Sequence, residues 1–308
     1  MFDTIGFRFI TNEKGFWQDL ELVKEITDKS TGMCLNKGKL KNLYVGEIQE
    51  GIIINGSLSK YYFGNNLETL TRKTTLQAVE SISDELHLKI SNSNVYRFDI
   101  AQNLLMSDPV KNYLNCLDEL KCFKKSIINS KSVYFNSDKT QLVFYDKLSE
   151  MSNKRQVIPE LYKQYKGRLL RYELRHLRGL KQTFKQDVFM KDLTEERFYT
   201  DLFKKWKELY FQISKKHKLK FKDMALKDIK TFETQLMIIA LNHLGLDRIN
   251  DMIELSRNDI GRDNKGRQKI SRIKKKIKEL KESKELTEQN PLIKELDAKI
   301  EMATLYRR

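Results

Sequence analysis

Short stretches in which apolar and polar residues alternate are the main feature of the first 180 residues. Side chains two positions apart on a strand lie on the same face of a sheet, so this alternation predicts strands that are buried on one side. The strands predicted in this way span Ile5–Ile10, Leu43–Val45, Gly51–Gly56, Val95–Ala101, Ser132–Phe135, Gln141–Lys147 and Arg168–Arg175. Asn136–Lys139 has turn-forming residues and predicts a hairpin between two of these strands.

Helical spacing of apolar residues interrupts the alternation in two places. Thr74–Leu88 is predicted as a helix, which Thr74 and Gln77 would begin as a capping box. Its apolar face would consist of Leu76, Val79, Ile82 and Leu86. Pro109–Cys122 is predicted as the second helix.

After about residue 180, helical spacing dominates the chain. One helix, capped by Asp192 or Thr194, would carry Phe198, Leu202, Trp206, Leu209 and Ile213 on one face. Further helices are predicted over Ile229–His243, Asp247–Leu255 and Arg267–Leu286 and from Pro291 onward, with a turn over Gly261–Gly266. Strands first and helices later predict an α+β fold, with a sheet-based domain over residues 1–180 and an all-helical region over 181–308.

The charge of the chain points to a polyanionic partner. The 308 residues include 58 basic and 42 acidic side chains, which give a net charge of +16. A positive field of this size attracts nucleic acid, and the basic residues are concentrated over Arg262–Lys278. Ile270, Ile273, Ile277 and Leu280 would form the apolar face of that helix, leaving its basic side for DNA phosphates. The candidate phosphate contacts there are Arg267, Arg272 and Lys275.

Two interpretations of the C-terminal helices remain open. The helices over Ile229–His243 and Asp247–Leu255 could form a helix-turn-helix that recognises a DNA sequence. Alternating Lys and Glu after Lys278 would equally suit a charged coiled coil or a dimer contact.

Several classes of protein are disfavoured by the composition. Cys34, Cys116 and Cys122 form no C-x-x-C pair, so neither a disulfide framework nor a zinc site is expected, and reduced thiols of a cytoplasmic protein fit best. No signal peptide is visible at the N-terminus. The most apolar stretch, Leu236–Leu241, is far shorter than the roughly 20 residues that span a bilayer, so no membrane association is expected.

Alternation also places chemically active side chains on common faces of the predicted strands. Arg97 shares a face with Asp99, and Tyr145 shares a face with Lys147. The third strand presents Arg171, Glu173 and Arg175 together. If the three strands are neighbours with their apolar faces inward, one face of the sheet carries all of these groups.

This set of side chains is suited to phosphoryl transfer. Asp99 and Glu173 could hold Mg²⁺ or Mn²⁺ through their oxygens, and Tyr145 could supply the attacking oxygen. Nearby Lys147, the arginines and a metal ion would favour the phenolate of Tyr145, or Lys147 could protonate the leaving oxygen. His176, directly after the third strand, is a candidate third ligand. The alternative is that these residues form ordinary surface ion pairs and that Tyr145 only packs.

Four segments of the chain resemble the replication initiation proteins of the phage gene II/X family. They are Ile54–Asn66, Tyr96–Asn103, Phe144–Glu150 and Leu170–Arg175, which contain R-x-D, then Y-D-K, then R-x-E-L-R in that order. The segments are also similar to transfer-type plasmid initiators and to relaxases. The resemblance covers residues 1 to about 180.

This resemblance implies an antiparallel-sheet nuclease domain that nicks one DNA strand at an origin of rolling-circle replication. Asp99 and Glu173 fall on the family's acidic positions, and Tyr145 falls on the Y-D-K position, where it would become joined to a 5′ phosphate. DNA is the implied partner, a host helicase is a further candidate, and the bacterial host cytoplasm is the implied location. One departure is that no two histidines have the His-hydrophobe-His spacing by which many rolling-circle initiators bind metal.

Alternatives to this interpretation concern both the nucleophile and the activity. Tyr199 and Tyr210 lie on a predicted helix, where many related initiators carry their nucleophile, although packing in the helix is the favoured role for both. The protein could also be a non-enzymatic DNA-binding protein, or a conjugative relaxase with the same chemistry. Lys60, between two glycine turns, is a further candidate phosphate contact.

Overall fold

A computed structural model describes residues 1–13, 15–27, 34–216, 218–219, 229–260, 263–281 and 287–305. The strands are β1 (Phe2–Ile10), β2 (Glu21–Thr27), β3 (Cys34–Leu40), β4 (Leu43–Ile48), β5 (Gly51–Ser57), β6 (Asn94–Leu105), β7 (Lys124–Ile128), β8 (Ser132–Asn136), β9 (Thr140–Asp146), β10 (Leu169–His176), β11 (Lys218–Leu219) and β12 (Thr287–Glu288). The helices are α1 (Leu58–Phe63), α2 (Arg72–Glu85), α3 (Val110–Leu114), α4 (Lys147–Asn153), α5 (Glu160–Lys163), α6 (Leu180–Phe184), α7 (Glu196–Gln212), α8 (Ile229–Leu255), α9 (Arg257–Ile260), α10 (Asn264–Lys281) and α11 (Pro291–Leu305).

A single large sheet organises the first two thirds of the chain. In the described residues it has ten strands in the order β2-β3-β4-β5-β1-β6-β10-β9-β8-β7, and all neighbours are antiparallel. The segments after α6 are mainly helical, with β11 and β12 as a short separate pair. The predicted α+β fold, an antiparallel sheet followed by a helical region, is confirmed.

One face of the sheet is covered by helices and holds the main core. Phe7, Val45 and Ile54 are fully buried on this face. Near its centre Tyr172 stacks between Phe144 of β9 and Trp206 of α7, with ring centroids 4.3 and 4.5 Å away. Since the apolar side chains of each strand face these helices, the alternating polar side chains lie on the opposite face, which we call the open face.

The two helices predicted within the first 180 residues differ from those in the structure. Helix α2 begins at Arg72, two residues earlier than predicted, because Thr71 and Thr74 form the capping box that was assigned to Thr74 and Gln77. The predicted helix Pro109–Cys122 is wrong beyond Leu114. There the backbone N–H of Asp118 donates to the carbonyl of Ser214, so contact with the chain after α7 replaces helical hydrogen bonding.

The other boundary corrections follow from local hydrogen bonds and exposure. Helix α7 is capped by the side chain of Glu195, which accepts from two backbone N–H groups, rather than by Asp192 or Thr194. Leu76 of α2 is 44% exposed and therefore does not belong to the predicted apolar face. Strands β2, β3, β7, β11 and β12 were not predicted.

The C-terminal helices largely follow the apolar spacing of the sequence. Helix α8 covers both predicted helices and is interrupted at Gly245, where φ is 77° and the backbone leaves the helical region. Helix α10 begins at Asn264, so the turn predicted as far as Gly266 is wrong there. Residues 261–262 of that turn and 282–286 of the predicted helix lie outside the described residues. None of the described helices is long and apolar enough to cross a lipid bilayer.

The predicted division at residue 180 stays a prediction. The last strand of the large sheet ends at His176, close to the predicted boundary. Buried residues of α7 and α11, including Trp206 and Leu296, nevertheless belong to the same core cluster as the sheet.

Candidate active site on the open face

Strand β10 lies between β6 and β9 and brings the three predicted motifs together. Arg175 pairs with Asp99 of β6, and Arg171 pairs with Tyr145 of β9. Residues directly opposite each other in a sheet project from the same face. Arg171, Glu173 and Arg175 therefore share the open face with Asp99 and Tyr145, as the alternation predicted.

The Glu173 carboxylate is the centre of this arrangement. Its Oε1 accepts from the Tyr145 hydroxyl at 2.6 Å and from Nε of Arg171 at 2.6 Å. Its Oε2 accepts from Nε of Arg175 at 2.7 Å. Burial opposes the charge of Glu173, but Arg171 and Arg175 outweigh this effect and lower its pKa to about 2.

Asp99 has a different electrostatic environment. Its carboxylate is 3% exposed and accepts from the Arg97 guanidinium at 3.0 Å, and Nε of Arg175 lies 3.9 Å away. Burial raises the pKa of Asp99 to about 6, against the lowering effect of Arg97 and Arg175. The carboxyl groups of Asp99 and Glu173 therefore release their protons in well-separated pH ranges.

Asp3 is a third carboxylate of this group, and it was not predicted from the sequence. It forms a 2.6 Å ion pair with Arg171 and accepts from the Ser57 hydroxyl at 2.6 Å. Its position follows from β1 beginning at Phe2, whereas apolar alternation is visible only from Ile5 onward. Pairing of β1 between β5 and β6 then places Asp3 beside β6.

The guanidinium of Arg171 is buried between Asp3 and Glu173. Its Nη1 donates to the carbonyl of Asn66 at 2.9 Å and to the side chain of Asn103 at 3.1 Å. Arg171 is 2% exposed, so its guanidinium faces protein groups rather than the surface that DNA would contact.

Lys147 lies at the start of α4 rather than in a strand. Asp146 ends β9 and caps α4, because its side chain accepts from the backbone N–H groups of Leu148 and Ser149. Lys147 is 1% exposed and donates to Glu150 at 2.8 Å. Burial and the charge of Arg171 lower the pKa of its ammonium group, although Glu150 opposes this effect.

The expectation that Tyr145 is readily ionised is wrong for this arrangement. Burial raises the pKa of Tyr145 well above its ordinary value, and the charge of Glu173 raises it further. Arg171 opposes these two effects without overcoming them. At neutral pH Tyr145 is therefore a phenol whose proton is directed at Glu173.

These groups line a cleft of about 690 Å³ on the open face. Its walls include Tyr145 and the acidic residues Asp3, Asp99, Asp146, Glu150 and Glu173, and its basic residues are Lys60, Arg97, Lys131, Lys147, Lys154 and Arg175. The predicted contacts Lys60, Arg97 and Arg175 are thus gathered here. Arg267, Arg272 and Lys275 lie instead on α10, which contacts α8 and α9.

His176 lies on the helix-covered face, away from the cleft. Its ring packs against Phe98 and Phe184, with centroids 4.9 and 5.3 Å away. Burial lowers its pKa to about 3, with Lys205 adding to the effect. His176 is therefore a neutral core residue, and the hypothesis that it joins Asp99 and Glu173 as a ligand is wrong.

The two helical tyrosines belong to the core, as favoured from the sequence. Tyr199 is 3% exposed and packs edge-on against Phe2 and Phe203. Tyr210 is fully buried and donates to Asp297 of α11 at 2.6 Å. Tyr145, by contrast, donates its hydroxyl to the Glu173 carboxylate on the open face.

A small cation with oxygen ligands would have to use the carboxylates of Asp99 and Glu173. In the part of the chain described, no three or more His, Cys, Asp and Glu side chains are grouped as a metal site. Mg²⁺ commonly uses only one or two carboxylates together with waters and substrate phosphates. Asp99 and Glu173 are two such carboxylates, but the Arg175 guanidinium contacts both of them, so a bound cation would have to displace it.

The cleft thus brings a phenol, carboxylates and guanidinium groups together. The family model for the N-terminal part of the gene II replication-associated protein of phages matches residues 37–207, which is more than half of the chain and includes β6, β9 and β10. The chain therefore belongs to this family of phage replication-associated proteins. Membership supports a role in initiating phage DNA replication and implies DNA binding. No curated protein sequence matches the chain.

Proposed function

We propose that this protein starts rolling-circle replication by nicking one DNA strand at an origin through Tyr145. The observation that supports this most directly is the 2.6 Å hydrogen bond from Tyr145 to Glu173, within a cleft that is also lined by six lysine and arginine residues. The hydroxyl lies beside the Glu173 carboxylate and the partly buried Arg175, where it could meet a bound phosphodiester.

In the proposed reaction the Tyr145 oxygen attacks phosphorus and forms a phosphotyrosine bond to the 5′ side of the nick. The P–O3′ bond breaks, Glu173 accepts the phenolic proton, and Lys147 donates a proton to the leaving 3′ oxygen. Attack by that 3′ hydroxyl on the phosphotyrosine reverses the step and reseals the strand. The low pKa of Glu173 keeps the proton on Tyr145 until attack begins.

Asp99 and Glu173 would hold Mg²⁺ or Mn²⁺ in this proposal, and the ion would neutralise charge on the scissile phosphate. Arg97 and Arg175, which are only partly buried, would contact the same phosphate. Arg171 would hold Asp3 and Glu173 in position rather than bind DNA. Removal of divalent ions with EDTA is expected to stop nicking.

Outside the cleft we propose contacts that hold the rest of the DNA. Lys60 would bind the phosphate backbone at the rim of the cleft. Arg267, Arg272 and Lys275 on α10 would bind flanking DNA, because their exposed side chains extend from a predominantly basic helix. A host helicase is a further proposed partner, which would unwind the nicked DNA.

The proposal is tested by adduct formation. The protein is incubated with supercoiled origin DNA and Mg²⁺, and a covalent protein–DNA adduct is sought under denaturing conditions. Tyr145→Phe should abolish the adduct, whereas Tyr134→Phe, another tyrosine of the same cleft, should keep it. Adduct formation by Tyr145→Phe would exclude this nucleophile. If the wild type forms no adduct and Asp99→Ala binds origin DNA as the wild type does, the non-enzymatic alternative is favoured.

A further inference from the structure

Two tyrosine rings lie against the open face beside the cleft, each over a glycine. A Cβ atom built on Gly6 would come within 2.7 Å of the Tyr96 ring, and one built on Gly46 within 2.7 Å of the Tyr44 hydroxyl. Any side chain at these two positions would displace the rings. The glycines therefore let both rings lie close to the sheet while remaining only half-buried.

The sheet register places these tyrosines in adjoining rows. Gly6 pairs with Asn55 of β5, and Asn55 pairs with Tyr44 of β4. Tyr96 lies over Gly6 because a register shift between Gly6 and Phe7 inserts an extra residue into β6. Tyr96 and Tyr44 are close enough for Tyr44 to affect the pKa of Tyr96, which burial raises.

The charge of this part of the open face is positive. The guanidinium of Arg8 lies 5.5 Å from the Tyr96 ring centre. The same rows of the sheet carry Lys37 and Lys39 on β3 and Lys24 on β2, with Glu21 as their acidic neighbour. Arg8, Lys24 and Lys39 are exposed.

This surface is continuous with the cleft. Arg97 follows Tyr96 on β6 and lines the cleft, as does Asn42, two residues before Tyr44. A strand of DNA whose phosphate lay at Tyr145 could therefore continue over Arg97 and onto the tyrosines. Unpaired bases stack on aromatic rings, whereas the bases of an intact duplex are already stacked.

We propose that Tyr96, Tyr44 and the surrounding basic residues bind unpaired bases of the single strand adjoining the nick. This inference rests on the proposed function, because the cleft orients the strand. The rings supply stacking surfaces, and Arg8, Lys37 and Lys39 contact the backbone. We call this surface the tyrosine track.

The tyrosine track is tested by fluorescence anisotropy on the full chain, with EDTA present so that binding is measured without cleavage. The probes are a labelled oligothymidylate of about 15 nucleotides and an abasic strand of equal length. Tyr96→Ala and Tyr44→Ala should each weaken binding of oligothymidylate by about tenfold and leave binding of the abasic strand unchanged. Tyr96→Phe and Tyr44→Phe should bind like the wild type, because they keep the ring.

The glycines provide a second, independent test. Gly46→Ala should displace the Tyr44 ring and weaken oligothymidylate binding as Tyr44→Ala does. Gly15→Ala is the matched control, because nothing lies within 4 Å of a Cβ at that position. Wild-type binding by the Tyr→Ala variants, or equal losses on the abasic strand, would overturn the tyrosine track. A duplex that binds more tightly and depends on the same tyrosines would also overturn it.

The binding and adduct experiments distinguish an error in the tyrosine track proposal from an error in the nicking proposal. If the wild type forms no adduct but its tyrosine variants lose base-dependent binding, nicking is wrong and the track stands. If the adduct forms and the variants bind oligothymidylate normally, only the track is wrong.

Discussion

Arg171 connects two carboxylates that belong to distant parts of the chain. Its guanidinium contacts Asp3 of β1 and Glu173 of its own strand, and it is buried with both. A planar guanidinium can serve several acceptors at fixed angles, which a lysine ammonium cannot reproduce. Arg171 therefore aligns the carboxylate that receives the Tyr145 hydroxyl.

Removing this guanidinium should destabilise the fold strongly. Arg171→Met leaves Asp3 without its ion-pair partner in a buried position, so we expect the free energy of unfolding to fall by about 3–5 kcal/mol. Urea denaturation followed by circular dichroism measures the change. Arg178→Met is the matched control, because the pair of Arg178 with Asp138 is exposed and worth at most about 1 kcal/mol. Equal losses in the two variants would contradict the role given to Arg171.

Asp99 should make stability fall as pH rises. Its pKa is raised from an ordinary 3.8 to about 6, so the folded chain binds the proton more tightly than the unfolded chain between these values. Its contribution is fully present below pH 3.8 and is lost as pH rises through about 6. Between these limits the wild type should lose about 3 kcal/mol relative to Asp99→Asn. Urea denaturation at several pH values measures this difference, and parallel pH curves for the two proteins would contradict it.

At the scale of elements, the end of β9 determines where Lys147 lies. Asp146 stops the strand by capping α4, and the first residue of that helix is Lys147. Asp146→Ala should cost about 1 kcal/mol of stability and should also slow nicking, because α4 would no longer hold Lys147 beside the cleft.

The control for this prediction is another helix cap far from the cleft. Glu195 caps α7 through two backbone N–H groups, and α7 packs on the helix-covered face. Glu195→Ala should lower the melting temperature without slowing adduct formation per folded molecule. Equal slowing in both variants would show that Asp146 acts only through stability.

The alternation of apolar and polar residues predicted the strands that carry the site, because each of these strands buries one of its faces. In β10 the residues Leu170, Tyr172 and Leu174 are fully buried, so their polar neighbours had to share the other face. Strand β2 lacks this signal because all seven of its residues are exposed. The helix predicted to reach Cys122 ends early because of contacts with residues near 214, which local spacing does not encode.

The ionisation of the site could not be predicted from spacing, because it depends on which charges become neighbours. A tyrosine beside lysine and arginines was expected to ionise easily, yet Tyr145 faces the Glu173 carboxylate. Asp3 belongs to the site because β1 pairs with β5 and β6. His176 does not belong to the site, because its position in β10 directs the ring to the opposite face.

For the whole molecule, whose net charge is +16, the proposed DNA contacts lie in two regions, the open face and α10. The two regions are expected to bind different parts of the DNA, the cleft and the tyrosine track holding the strand at the nick and α10 holding flanking duplex. Counterion release allows these contributions to be separated, because each phosphate contact adds a fixed amount to the salt dependence of binding.

Arg272→Ala and Lys275→Ala should each reduce the slope of log K against log salt for duplex DNA by about 1. Both side chains are exposed on α10, so their loss should leave adduct formation on a short single strand unchanged. Lys111→Ala is the control, because this exposed lysine lies on α3 beside α11 rather than on α10 or the cleft. The slope is measured by anisotropy titrations at several salt concentrations. If the α10 variants keep the wild-type slope, the helix does not contact DNA, and a contact with another protein chain becomes the better explanation of its charge.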